Sequence, residues 1–220
     1  MWKEFGKLFK DNSKESEKAQ SIQYVAIFGY ANSKEDDKLY KEVVMVAKKL
    51  AQAGYTVVNG GGPGLMRAAS VGAKQGGGQV VGVTLNPKDM THFEGRDAGN
   101  LLDKEIKTET YVERTLTLMK ESQVYVIFNG GTGTISEFAM AWGLARLYFG
   151  HHKPLILYGK FWKKIIKAFS ENMLLREGDL DVLKIVNSPK GVLKALRDFE
   201  KEMVSGKKPF VKASKEGHAL

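Results

Sequence analysis

Glycines, threonines and one acid crowd together at Asn129-Gly-Gly-Thr-Gly-Thr-Ile-Ser-Glu137, directly after the β-rich run Val124-Tyr-Val-Ile-Phe128 and directly before a helical pattern. That arrangement suits anion chemistry. Glycine lets the backbone come close to a ligand, the first helical N–H groups have no intrahelical partner, and the helix dipole favours negative charge at that end. A phosphate is the natural occupant, with Gly130, Gly131, Thr132, Gly133 and Thr134 as its candidate contacts. Threonine hydroxyls could add to the cradle, although threonine in a turn more often caps its own backbone. The pattern occurs a second time, where Tyr55-Thr-Val-Val-Asn59 runs into Gly60-Gly-Gly-Pro-Gly-Leu-Met66 and offers Gly61, Gly62 and Gly64. Two such loops, each after a strand and before a helix, outweigh one.

Glu137 has two readings. Thr134-Ile-Ser-Glu137 fits the S/T-x-x-E capping box, in which the glutamate only closes the start of the helix. Taken alone, the residues favour the cap. Other chemistries find less support. The four histidines, His92, His151, His152 and His218, match no zinc or catalytic spacing, so no metal is expected. No lysine falls inside either glycine motif to serve as a Schiff base, which argues against a pyridoxal phosphate enzyme.

The elements that must position these residues alternate along the chain. Strand-like runs are expected at Tyr24 to Phe28, Thr56 to Asn59, Gln79 to Val83, Val124 to Phe128, Leu155 to Tyr158 and Leu183 to Val186. Helical patterns are expected near 36–53, 63–76, 109–121, 134–149, 160–174 and 189–203, the last opened by Ser188-Pro189. Such alternation predicts an α/β, three-layer fold with a mostly parallel central sheet and helices on both faces. Ligands then sit beyond the carboxyl ends of the strands, where Gly29 and both glycine loops fall. Residues 86–107 lack a clear period and are expected to form a long connection, a flap over the same edge. Phe138 to Phe149 is apolar almost all round, which demands burial on more than one face, inside the layers or across a two-fold interface.

The chain has 220 residues, 43% of them hydrophobic, which is enough for one full core. We read residues 22–204 as one Rossmann-like domain, 1–21 as an amphipathic and flexible extension built on Trp2, Phe5, Leu8 and Phe9, and 205–220 as a flexible basic tail. The absence of cysteine fits a reducing, cytoplasmic setting, and no stretch is apolar enough for a membrane span. The net charge of +9 comes from lysines scattered over helix patterns with no arginine-aromatic stripe. It therefore points to anionic small molecules rather than nucleic acid.

Together, Asn59-Gly-Gly-Gly-Pro-Gly-Leu-Met66, Glu113-Arg114 and Gly130-Gly-Thr-Gly-Thr-Ile-Ser-Glu137 resemble the LOG (Lonely Guy) family, formerly mislabelled as lysine decarboxylases. Its signature is a GGGxxGxM loop, an Arg-Lys pair and PGGxGTxxE. The resemblance runs from about Val25 to about residue 200. It implies a Rossmann-like, commonly homodimeric protein that needs no cofactor. Such a protein cleaves the N-glycosidic bond of nucleoside 5′-monophosphates, cytokinin ribotides among them, releasing base and ribose 5-phosphate. It also implies Glu137 as the carboxylate at C1′ and Arg114 as its partner across the site, and so reverses the preference for a mere cap. A first-turn carboxylate near a guanidinium is expected to stay ionised at neutral pH and to stabilise charge or activate water. The chain departs from the signature at Thr115 in place of lysine, at Asn59 and Asn129, and at Gly29-Tyr30-Ala31-Asn32, where Gly-Ser is common. Relatives of similar fold bind molybdenum cofactor or signalling nucleotides without cleaving them, and these departures suit that alternative, a non-catalytic carrier or sensor.

Overall fold

The computed structural model describes residues 22–86, 95–147 and 154–205. The amphipathic extension 1–21, residues 206–220 of the tail, and all four histidines lie outside the described residues. Seven strands, β1 (Tyr24–Phe28), β2 (Thr56–Asn59), β3 (Val80–Leu85), β4 (Lys104–Thr108), β5 (Val124–Ile127), β6 (Leu155–Tyr158) and β7 (Leu183–Val186), form one sheet. Its order is β4-β3-β2-β1-β5-β6-β7, and every pairing is parallel. The chain winds outward from β1 to β4, then returns to the far side of β1 as β5. Adjacent strands β1 and β5 therefore feed connections that leave in opposite directions, and this topological switch point opens a crevice at their carboxyl ends.

Strand alternation explains the layering. Val25 and Ile27 of β1, with Val124 and Val126 of β5, face one core, whereas Ala26 and Phe28, with Tyr125 and Ile127, face the other. The first core is closed by α1 (Lys38–Gln52), α2 (Leu65–Gln75) and α6 (Pro189–Ser205), the second by α3 (Tyr111–Lys120), α4 (Thr132–Leu147) and α5 (Trp162–Asn172). On α1, Tyr40, Val43, Ala47 and Leu50 recur at helical spacing and are buried. Phe138 and Trp142 of α4 stack with each other and with Phe169 of α5, fixing that helix pair over the second core.

The structure corrects the sequence reading at two places. The connection 86–107 contains a strand, β4, whose Lys104, Glu105 and Lys107 stay exposed at the sheet edge; charge on the strand hid its period and blunts the edge against stray pairing. Pairing with β4 also carries β3 on to Leu85. Helix α4 starts at Thr132, two residues before the expected position, so Thr132 and Gly133 belong to its first turn. Packing among the described residues leaves part of α4 uncovered, as an interface would require: Ala139 and Gly143 are exposed, and Ile135 is 42% exposed.

Candidate active site

The crevice at the switch point is lined from both sides. The turns after β1 and β5 are stitched together by Phe128 N–H to Phe28 O at 2.9 Å and Tyr30 N–H to Asn129 O at 3.1 Å. Beyond that stitch lies a cavity of about 150 Å³. Gly29, Arg114, Gly131, Thr132, Gly133, Thr134 and Glu137 all line it, so residues from three separate motifs meet. The first intrahelical bond of α4 runs from Ile135 N–H to Gly131 O at 3.1 Å. The N–H groups of Thr132, Gly133 and Thr134 therefore sit in the first turn, ahead of any backbone acceptor, as an anion site requires.

Because α4 begins at Thr132, Thr134 is its third residue and Glu137 lies in the second turn. The capping box expected at Thr134 and Glu137 thus does not form. A side-chain cap forms instead at α3, where Thr110 Oγ1 accepts from Glu113 N–H at 3.1 Å, while the Glu113 carboxylate reaches past the cap residue to accept from Glu109 N–H at 2.9 Å. Glu137 is turned inward, 8% exposed. Burial pushes its carboxyl up to about 7, against the opposing pull of the Arg114 guanidinium. The expectation of a fully ionised carboxylate at neutral pH is therefore corrected. Loss of hydration outweighs the nearby cation, and the group divides between its two forms near pH 7.

Arg114 is no surface cation either. It is 5% exposed, and it donates from Nε to Val83 O and from Nη2 to Gly60 O, each at 3.1 Å. It thus ties α3 to the end of β3 and to the first glycine loop, with its charge held under the cavity. Thr115, where the LOG signature has lysine, is buried and gives its hydroxyl to Tyr111 O at 3.0 Å within α3.

The first glycine loop plays a different part from the one expected. Gly60 and Met66 line the cavity; Gly61, Gly62 and Gly64 do not, and neither does Gly130 of the second loop. Asn59, fully buried, accepts Gly61 N–H at 2.8 Å and donates to Ser70 Oγ at 2.9 Å. Gly61 O accepts from Asp97 N–H at 3.1 Å, and Gly62 O from Asn100 Nδ2 at 2.8 Å. Gly61 N–H and the carbonyls of Gly61 and Gly62 are thereby bonded inside the protein. Gly64, at φ +61°, presses against the carbonyls of Tyr30 and Ala31 and caps α2. Gly130 packs on the Thr134 side chain, and a Cβ there would come within 2.2 Å of its hydroxyl. The described part of the expected flap, residues 95–100, docks on the first loop and contributes nothing to the cavity lining; residues 87–94 lie outside the described residues.

Sequence reasoning named Tyr30 and Ala31 only as departures from the LOG signature and missed Tyr111; all three line the cavity. Tyr111 Oη lies 2.7 Å from Ser136 Oγ and 3.4 Å from Gly133 O, so its ring spans from α3 to the first turn of α4. No local signal announces a contact between residues 25 positions apart. Among the described residues, no three of His, Asp and Glu gather to hold a metal ion. No helix among them is long and apolar enough to cross a membrane.

Comparison with known proteins agrees with this geometry. Residues 22–179 match the family model described as the SLOG cluster4 family. An uncharacterised protein of Archaeoglobus fulgidus is 29% identical over 124 residues, covering 56% of this chain and 78% of that protein. A Mycobacterium tuberculosis protein named cytokinin riboside 5′-monophosphate phosphoribohydrolase is 34% identical over 114 residues; the match spans 51% of this chain and 58% of that protein's length. The structure of a molybdenum cofactor binding protein from Rippkaea orientalis superposes with a TM-score of 0.60 at 23% identity, covering 81% of this chain and 97% of that one, a likeness of fold. Seven parallel strands, a cavity at the switch point and a family match over most of the chain lead to one conclusion: the protein belongs to the SLOG cluster4 family of LOG-like proteins.

Proposed function

We propose that the chain is a nucleoside 5′-monophosphate phosphoribohydrolase acting on AMP-like ribotides, cytokinin ribotides included. The observation that carries this reading is the shared cavity of a buried carboxyl, Glu137, and the unpaired N–H groups that open α4. The phosphate takes the N–H groups of Thr132, Gly133 and Thr134, with the two threonine hydroxyls beside them. The ribose then lies over Glu137. Scission of the bond between C1′ and the base nitrogen passes through an oxocarbenium-like state. The carboxylate form of Glu137 stabilises that cation and takes a proton from the attacking water, whose oxygen bonds to C1′; the base leaves with the bonding electron pair and gains a proton. Arg114 holds the Gly60 turn and supplies the fixed positive charge below the site.

The test is base release from AMP and from isopentenyl-AMP, read by chromatography, with wild type beside Glu137→Gln. A folded Glu137→Gln protein with undiminished turnover would remove Glu137 from the chemistry.

A second reading is a non-catalytic carrier of a nucleotide or of molybdenum cofactor. Thr115 favours it, because a buried hydroxyl bonded to Tyr111 O stands where the LOG signature has a lysine. It predicts thermal stabilisation by a phosphate-bearing ligand and no product. Turnover above background by wild type would end it. In either reading the protein works as a homodimer in the cytoplasm. The exposed Ile135, Ala139 and Gly143 face of α4 supports the dimer, since it leaves close-packing small residues uncovered beside the cavity.

A further inference from the structure

We propose that Tyr30 and Tyr111 together grip the planar heterocycle of the ligand, Tyr111 as a fixed platform and Tyr30 as a closing ring. This inference rests on the nucleotide reading above, and it assigns the part of the site that the glycine loops, Arg114 and Glu137 leave unexplained.

Both side chains line the cavity, but they reach it from different elements. Tyr30 stands in the turn after β1 and is 44% exposed; Tyr111 is the first residue of α3 and is half-buried. A single exposed ring asks for no explanation on a protein surface. Two rings at the mouth of one cavity, beside the N–H groups that open α4, do. Phosphate at those N–H groups and ribose over Glu137 leave the base pointing outward, towards the rim that the tyrosines occupy.

Tyr111 is anchored at both ends. Its backbone begins α3 behind the Thr110 cap, and its hydroxyl bonds with Ser136 Oγ at 2.7 Å while Ser136 Oγ donates to Gly133 O at 2.8 Å. The ring is consequently held in place before a ligand arrives, so little rotamer freedom is lost on stacking. Tyr30 sits on a turn stitched to Asn129 O and, through its carbonyl, to Leu65 N–H at 3.0 Å. Its backbone is fixed while its side chain reaches solvent, which suits a ring that settles on the ligand after entry. Where the LOG pattern often has serine, this chain carries that ring. Stacking discriminates by aromatic face rather than by hydrogen-bond pattern, so the two tyrosines select for a flat heterocycle without dictating which one.

The experiment separates the base from the phosphosugar. AMP and ribose 5-phosphate are titrated into the full chain carrying Glu137→Gln, which is expected to slow turnover, and into the same protein with Tyr30→Ala, Tyr111→Ala or Tyr111→Phe added. Each alanine variant is expected to weaken AMP at least about fivefold and to leave ribose 5-phosphate within about twofold. Tyr111→Phe keeps the ring and is expected to retain most of the preference for AMP. A structural disturbance alone would weaken both ligands together, and that result overturns the proposal. So does an unchanged ratio of the two affinities in both alanine variants while both ligands still bind. Failure of either ligand to bind before any tyrosine is changed overturns the nucleotide reading itself, and this inference with it.

Discussion

Arg114 reaches across 54 residues of sequence to donate from Nη2 to the Gly60 carbonyl at 3.1 Å, and a Cβ placed on Gly60 would stand 1.8 Å from that same nitrogen. The two positions form a single unit. Only glycine leaves the guanidinium room to lie against the loop, and only a forked cation satisfies both Gly60 O and Val83 O from one side chain. Gly60→Ala is therefore expected to expel the guanidinium from its seat, lowering stability by about 1–3 kcal/mol and ligand affinity together. Urea denaturation with an unchanged midpoint would show that the pair is not coupled in this way.

Glu137 weakens the fold in order to stay where it is. Its carboxyl is raised to about 7 by burial, while an unfolded chain would restore the ordinary value. The stability associated with the protonated form is fully present below the ordinary carboxylate pKa, is lost as pH rises towards 7, and stays lost above. Glu137→Gln removes the titration, so it should match wild type near pH 4 and exceed it at pH 8, by an amount on the order of 2–3 kcal/mol. Denaturant titrations of both proteins at the two pH values measure this. A variant less stable at pH 8 than wild type would show the carboxylate to be favourably partnered.

The same titration governs catalysis in the hydrolase reading. If the carboxylate form acts at C1′, kcat/KM for AMP rises with pH up to a plateau, with a midpoint near 7 set by Glu137. At pH 6 it is expected to lie about tenfold below the plateau. Glu137→Gln should lower turnover by roughly 10²–10⁴-fold and abolish the acidic limb. A profile that falls as pH rises through 7 would assign Glu137 to proton donation instead.

Asn59 serves three neighbours from a fully buried position: Gly61 N–H, Ser70 Oγ and, at 3.5 Å, Asn100 Nδ2. Asn59→Ala leaves buried polar groups without partners and should cost about 2–3 kcal/mol. Asn59→Gly matches the LOG signature yet removes the same bonds, so it should cost as much. Thermal melts of the two variants compare them directly, and a stable Asn59→Gly protein would mean that this side chain is dispensable.

Ala139→Arg places a long cation in the middle of the exposed strip on α4, where Gly143 follows one turn later. Light scattering is expected to show a dimer for the wild type and a monomer for this variant. A wild-type protein of monomeric mass would remove the dimer from the proposal.

The sheet was legible wherever strands are buried on both faces, because Tyr24 to Phe28 and Leu155 to Tyr158 are short apolar runs with turn residues at both ends, and the half-buried edge strand Leu183 to Val186 still shows three apolar residues around Lys184. β4 was hidden because its residues answer to solvent on one side, so charge took the place of a hydrophobic period. In the site, the second glycine loop could be placed from local chemistry alone, since strand, turn and helix follow within fifteen residues. The first loop misled. Its glycines look like a phosphate cradle, but Asn59, Asp97 and Asn100 decide what its amides and carbonyls bind, and two of those residues lie more than thirty positions away. The cap alternative for Glu137 fails for a simpler reason: helix α4 starts two residues early, which moves the carboxyl from the cap into the second turn.

A loop pinned from within at Gly61 N–H and at the carbonyls of Gly61 and Gly62 does not wait for a guest to give it shape. Because Asn59, Asp97 and Asn100 close the first glycine turn from within, the entropic cost of ordering that rim is met when the protein folds. A visiting anion then meets a finished wall, and whatever adaptation binding demands must come from side chains such as the exposed ring of Tyr30, which still has room to swing.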